Sequence, residues 1–122
     1  GNKIKYSIEI EDEIKENKIL KLILQPIIEN SIIHGLSKRD YEGSIKVKIF
    51  KEEDKVIVNI FDNGSGIKEK EIEEILNGKS QGIGVYNSNR RIKIYYGDEY
   101  GIEMKSEVSE YTETIIKLPS IS

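Results

Sequence analysis

Apolar residues recur with two different periods in this chain, and the periods take turns along it. Ile4, Tyr6, Ile8 and Ile10 fall at every second position, with Lys3, Lys5, Ser7 and Glu9 between them. Ile45, Val47 and Ile49 repeat the pattern, as do Val56, Val58 and Ile60. A period of two marks a strand with one buried face. From Ile19 to Leu36 the spacing changes. Apolar residues stand at 19, 20, 23, 24, 27, 28, 32 and 36, and Lys21, Gln25 and Glu29 form a polar stripe four apart. That is an amphipathic helix, kinked or started at Pro26 and ended by Gly35 and the 37–43 stretch. Residues 85, 88, 92, 95 and 96 make a second helical face.

The expected order is a strand over 3–10, a helix over 19–36, and strands over 44–50 and 56–61 joined by the charged turn Lys51–Lys55. A short charged helix or lid over 67–76, a glycine-containing loop over 77–84 and a helix over 85–96 follow. Strands over 101–108 and 112–118 close the chain. Strands that pair mostly antiparallel, in a mixed sheet with helices on one face, make a two-layer α/β sandwich. Nothing reads as a linker, so 1–122 is expected to be a single domain.

Composition removes several functions. With no Cys and a single His, disulfide scaffolds, thiolate metal sites and multi-His zinc sites are excluded. A net charge of −3 argues against a broad basic face for nucleic acid. Apolar runs of only a few residues are too short to span a membrane, and residues 1–10 carry no secretion signal. The expected class is a soluble intracellular domain.

Three stretches hold residue types suited to chemistry. Asn30 and His34 lie four apart in the first helix and so share a face. An amide oxygen there suits a hard cation such as Mg²⁺, and the imidazole beside it suits phosphate oxygens. A hydrogen-bonded core Asn and a partly exposed His fit the same positions. Asp62 continues the phase of Val56, Val58 and Ile60, which puts its carboxylate on the helix side above an apolar floor. An acceptor-only group there suits an exocyclic amine. Gly64 and Gly66 allow close backbone approach or positive φ, although Asp62-Asn63-Gly64 is also a common turn signal. Gly82 and Gly84 open a helix, where free N–H groups favour phosphate. No strand directly precedes them and Asn87 replaces a third glycine, so the dinucleotide fingerprint is absent. Of Arg90 and Arg91, one is within reach of phosphate and the other belongs to a solvated face. Tyr95 and Tyr96 read as core and rim.

In this order the stretches resemble one family. Leu24-Gln25-Pro26-Ile27-Ile28-Glu29-Asn30-Ser31-Ile32-Ile33-His34-Gly35 resembles the N box of the GHKL ATP-binding superfamily. Asp62-Asn63-Gly64-Ser65-Gly66 resembles its G1 box, and Gly82-Ile83-Gly84-Val85-Tyr86-Asn87 its G2 box. Gln25-Pro26, the stretch Arg91-Ile92-Lys93-Ile94-Tyr95-Tyr96-Gly97 and the closing Leu118-Pro119 are similar to the catalytic domain of LytS/YesM-like sensor histidine kinases. The resemblance spans nearly the whole chain.

It implies a Bergerat fold with ATP held under a lid spanning about 67–81. Asn30 would coordinate Mg²⁺ and, with His34 near the phosphates, form the catalytic pair. Asp62 would bind the adenine amine, with Gly64, Gly66 and Ile67 shaping the base pocket and Thr112 nearby. Gly82, Ile83, Gly84, Val85 and Asn87 would line the phosphates, with Arg91 reaching them. The implied reaction is phosphoryl transfer to a histidine of an upstream helical dimerisation domain, and from there to a response regulator. The chain would be the cytoplasmic catalytic part of a membrane-anchored bacterial receptor, without direct membrane contact. His34, the sole histidine, belongs to the binding helix and is not the expected phosphoacceptor.

The sequence departs from the family pattern in three places. Ile33 stands where Lys is usual, and Tyr111 where Gly precedes the threonine. Pro26 stands where ATP-hydrolysing members carry a general-base Glu, and Glu29 is rotated about 100° away on a helix, so strong intrinsic hydrolysis is not expected. Two alternatives are an anti-sigma-factor-type serine kinase of the same superfamily and a degenerate, non-catalytic nucleotide-binding signalling module.

Overall fold

A computed structural model describes residues 4–10, 43–64, 66–79 and 83–120. Five strands form one sheet: β1 (Ile4–Ile10), β2 (Gly43–Glu52), β3 (Lys55–Asp62), β4 (Gly101–Glu107) and β5 (Tyr111–Pro119). Their spatial order is β1-β2-β3-β5-β4. β1 pairs parallel with β2, and the other three pairings are antiparallel. Two described helices, α1 (Glu69–Leu76) and α2 (Ile83–Tyr96), lie between β3 and β4 in sequence. The mixed, mostly antiparallel sheet with helices packed on it is the expected sandwich. The expected helix over 19–36 lies outside the described residues.

Alternation decides which face is covered. Ile45, Val47, Ile49, Val56, Val58, Ile60, Ile116 and Leu118 are each no more than 2% exposed. They share one core with Ile67, Ile75, Val85 and Ile92, which come from the helical layer and the loop before it. Fully burying one such side chain contributes about 1.5–3 kcal/mol. The other face of the sheet is more polar. There Asn59 donates to Glu113 at 3.0 Å, Lys117 pairs with Glu103 at 3.3 Å, and Phe61 stacks on Tyr111 with centroids 5.3 Å apart.

Three local expectations are corrected. The charged run 51–55 is mostly strand, because Lys51 and Glu52 extend β2 opposite Val56 and Lys55. Only Glu53 and Asp54 turn, with Glu53 at φ 56°. The second helix begins at Glu69 rather than Ile67, since Ile67 is drawn into the core at 5% exposure. Glu69 and Glu71 then place negative charge in the first turn of α1, where the helix dipole favours it. In α2, Val85, Ser88 and Ile92 are buried and Tyr96 packs on the core edge, but Tyr95 is 73% exposed and is no core residue.

Candidate functional site

The candidate residues on the sheet gather at one end of it. Asp62 closes β3 as its last residue. Its register partners are Ile45 on β2 and Thr112 on β5. Thr112 in turn pairs with Ser106 on β4. Asp62, Thr112 and Ser106 therefore form one row across three strands, all on the core face. Asp62 is 0% exposed and Thr112 3% exposed. A carboxylate at the end of an apolar strand face has left water at a cost that only specific partners offset.

The turn after Asp62 holds that carboxylate in place. Gly64 N–H donates to Asp62 Oδ1 at 2.9 Å, and Oδ2 is also sealed from solvent. Asn63 ties the turn to the start of β2: Ser44 N–H donates to Asn63 Oδ1 at 2.7 Å, and Asn63 N–H donates to the Ser44 carbonyl at 3.2 Å. The turn signal and the functional reading of Asp62-Asn63-Gly64 are thus compatible. The turn uses one carboxylate oxygen and the side chain stays in the core.

Gly66 and Ile67 anchor the next stretch to the β4–β5 hairpin. Gly66 has φ +74°, and a Cβ there would stand 2.2 Å from the Glu107 carbonyl oxygen and 2.7 Å from Val108 Cα. Only glycine permits this approach of main chain to main chain. Ile67 N–H donates to Ser106 Oγ at 2.7 Å. Ile67 is therefore fixed through its backbone as well as by packing. The expected lid of about 67–81 thus begins at a residue seated in the core.

The first turn of α2 supplies the second part of the site. Ile83, Gly84 and Val85 are its first three residues, and no acidic side chain lies in that turn. Val85 is 0% exposed and shares the core with Ile67. Asn87 and Arg91 lie one turn apart and exposed on the same helix. Asn30, His34 and Gly82, with the departures at Pro26 and Ile33, lie outside the described residues. Tyr111 lies opposite to Thr112 in strand phase, and its ring stacks on Phe61 across the outer face. The departure at 111 therefore leaves the core-side row without an added side chain.

Sequence reasoning missed Ser106. A signal was present, because Ser106 continues the phase of Ile102 and Met104, buried residues of β4, as a polar residue on an apolar face. A pocket of about 380 Å³ bordered by Leu76, Tyr86, Arg90 and Ile94 lies elsewhere, since none of Asp62, Gly64, Gly66 or Thr112 lines it.

Residues 15–121 match the family described as histidine kinase-, DNA gyrase B- and HSP90-like ATPase. The chain belongs to this family. It is 32% identical to the sensor protein LytS of Bacillus anthracis, covering 97% of this chain and 21% of that protein. It is also 32% identical to the sensor histidine kinase YesM of Bacillus subtilis, covering 96% of this chain and 20% of that one. The chain thus spans about a fifth of the length of these relatives. Among solved structures, the catalytic domain of histidine kinase ThkA superposes with a TM-score of 0.73 at 21% identity, covering 96% of this chain and 78% of that chain. A histidine kinase domain from Erythrobacter litoralis gives 0.69 at 17% identity over 95% of this chain and 51% of that chain. These likenesses bear out the family and the fold drawn from the three boxes. ATP is the nucleotide of the family.

Proposed function

We propose that the chain binds ATP with Mg²⁺ and is the catalytic domain of a sensor histidine kinase, serving a histidine of an upstream helical domain and, through it, a response regulator. The observation that carries the reading is the buried Asp62, braced by Gly64 and set in a row with Thr112 in a chain of this family.

The residues fit the nucleotide. Asp62 offers an acceptor for the adenine amine on an otherwise apolar floor. The first turn of α2, free of acidic side chains, offers N–H groups to phosphate. Asn87 and Arg91 add polar and positive groups from exposed positions. Among the described residues no group of three or more His, Cys, Asp and Glu gathers for a metal. Magnesium is expected to come with the phosphates, with Asn30 as the protein ligand and His34 beside them. In transfer, the acceptor imidazole nitrogen bonds to the γ-phosphorus. The bond to the β–γ bridging oxygen breaks, and ADP leaves with its electron pair. Positioning and cation charge supply most of such catalysis. No helix among the described residues is long and apolar enough to cross a membrane. In the proposed receptor this part works in the cytoplasm, without touching the bilayer or nucleic acid.

Calorimetric titration with a non-hydrolysable ATP analogue tests the reading. Binding in the tens of micromolar, roughly −6 kcal/mol, is expected with Mg²⁺ present, and should fall for Asn30→Ala and Asp62→Ala. No heat of binding in either condition contradicts it. With ATP itself the chain should acquire no phosphate on His34, which mass spectrometry reads directly.

A further inference from the structure

The Ser106 hydroxyl sits at the meeting point of three partners. Ile67 N–H lies 2.7 Å from Ser106 Oγ, the Tyr111 carbonyl 2.5 Å, and Thr112 Oγ1 3.0 Å. A hydroxyl has one proton and two lone pairs. The Ile67 N–H can only donate, so it takes one lone pair. The Tyr111 carbonyl can only accept, so it takes the proton. One lone pair remains for Thr112, and the Thr112 contact must then use the Thr112 proton. Every valence of Ser106 Oγ is filled in this arrangement, and no other assignment fills all three contacts.

We infer that Ser106 is a positioning residue of the base site: it draws the Thr112 hydroxyl proton toward β4, so that Thr112 faces the bound base as an acceptor only. This inference rests on the ATP-binding reading. The consequence is chemical. Asp62 and Thr112 are cross-strand partners, so their side chains stand about 4.5–5.5 Å apart at Cβ. With the Thr112 proton committed to Ser106, both present lone pairs. Adenine carries a donor amine at the ring position where guanine carries an acceptor carbonyl. A buried carbonyl set against two acceptors goes unpaired, which costs the full desolvation of that group. Ser106 touches no base in this scheme. It acts on base selectivity by fixing the direction of one proton, that of Thr112.

The experiment compares non-hydrolysable ATP and GTP analogues by titration calorimetry on the wild-type chain, Ser106→Ala, Thr112→Val and the double variant. Wild type should prefer the adenine analogue. Ser106→Ala should narrow that preference about tenfold, since the freed Thr112 proton can turn to the guanine carbonyl; tenfold corresponds to about 1.4 kcal/mol. Ser106→Thr, which keeps the hydroxyl, should restore it. In the double variant the preference should equal that of Thr112→Val alone, because Ser106 acts through Thr112. Equal preference in Ser106→Ala and wild type, or additive losses in the double variant, overturns the role of Ser106 and leaves ATP binding standing. A wild type that binds neither analogue overturns the ATP reading and the selectivity together. Should Ser106→Ala not fold, proton NMR of the wild type decides. The Thr112 hydroxyl proton should exchange slowly and show a cross-peak to the Ser106 β protons; a fast-exchanging or misdirected proton overturns the inference.

Discussion

Asp62 and Thr112 are register partners across β3 and β5, and both are buried, at 0% and 3% exposure. Both side chains lie on the core face at the same end of the sheet, Asp62 after the apolar Val56, Val58 and Ile60, and Thr112 beside the buried Thr114. Nothing about packing asks for them there. Apolar residues of similar size would fill the space without the desolvation cost of a carboxylate. Under the proposed function, a ligand that needs acceptors at the floor of its site accounts for their placement.

Asp62→Asn keeps the shape of the side chain and an oxygen for the Gly64 N–H. It replaces the other oxygen by a donor. Affinity for the adenine analogue should fall about tenfold or more, the worth of a hydrogen bond to a charged group being about 1.5–3 kcal/mol. The far-ultraviolet spectrum should be unchanged. Titration calorimetry with circular dichroism checks both halves.

Gly66→Ala and Gly97→Ala separate strain from collision. Both glycines have positive φ, +74° and +113°. A Cβ at 97 meets nothing within 4 Å, whereas one at 66 meets the Glu107 carbonyl at 2.2 Å. Strain alone costs about 1–3 kcal/mol. Gly66→Ala should be the more destabilising of the two in urea unfolding, and it should also weaken nucleotide binding by displacing Ile67. Gly97→Ala should leave binding unchanged.

How much of this was legible beforehand depended on whether a residue acts within its own strand. The phase of Val56, Val58 and Ile60 already carried Asp62 to the core side, whereas Thr112 was reached only through the family resemblance. Ser106 carried only the signal of a polar residue in the phase of Ile102 and Met104, because it is the register of β4 on β5 that brings it opposite Thr112, and a sequence does not print its register. Ile67 was assigned to a lid because its neighbours Lys68 to Glu74 are charged. Its side chain packs in the core, and its N–H bonds to a residue 39 positions away. The helical face of α2 was read well through Ile92 and missed Tyr95, whose exposure a periodicity near a helix end does not reveal.

Tyr111→Ala tests whether the unusual residue before Thr112 matters to the site. The Phe61–Tyr111 stack lies on the outer face with an interplanar angle of 14°. Its loss should destabilise the fold by about 0.5–1.5 kcal/mol beyond lost burial. Affinity for the ATP analogue should stay within about twofold of wild type, a difference of roughly 0.4 kcal/mol.

The β4–β5 turn should give a pH signature. The Glu107 carboxyl is held above its ordinary range, chiefly by a hydrogen bond from or to Glu110, then by the Glu110 charge and by desolvation. The folded state therefore binds its proton more tightly than the unfolded state does. The associated stability is present at low pH and is lost as pH rises through the folded value. Glu110→Gln should leave the melting temperature at pH 4 nearly unchanged and raise it slightly at pH 7. An equal shift at both pH values would show that the pair does not share the proton.

The most direct test follows backbone amide resonances of the isotope-labelled chain while a non-hydrolysable ATP analogue and Mg²⁺ are added. The account predicts the largest shifts at Gly64, Gly66, Ile67 and Thr112 and at Gly84 and Val85 in the first turn of α2, with outer-face residues such as Glu103 and Ile115 still. Shifts confined to the pocket bordered by Leu76, Arg90 and Ile94, with Gly64 and Thr112 unmoved, would contradict it.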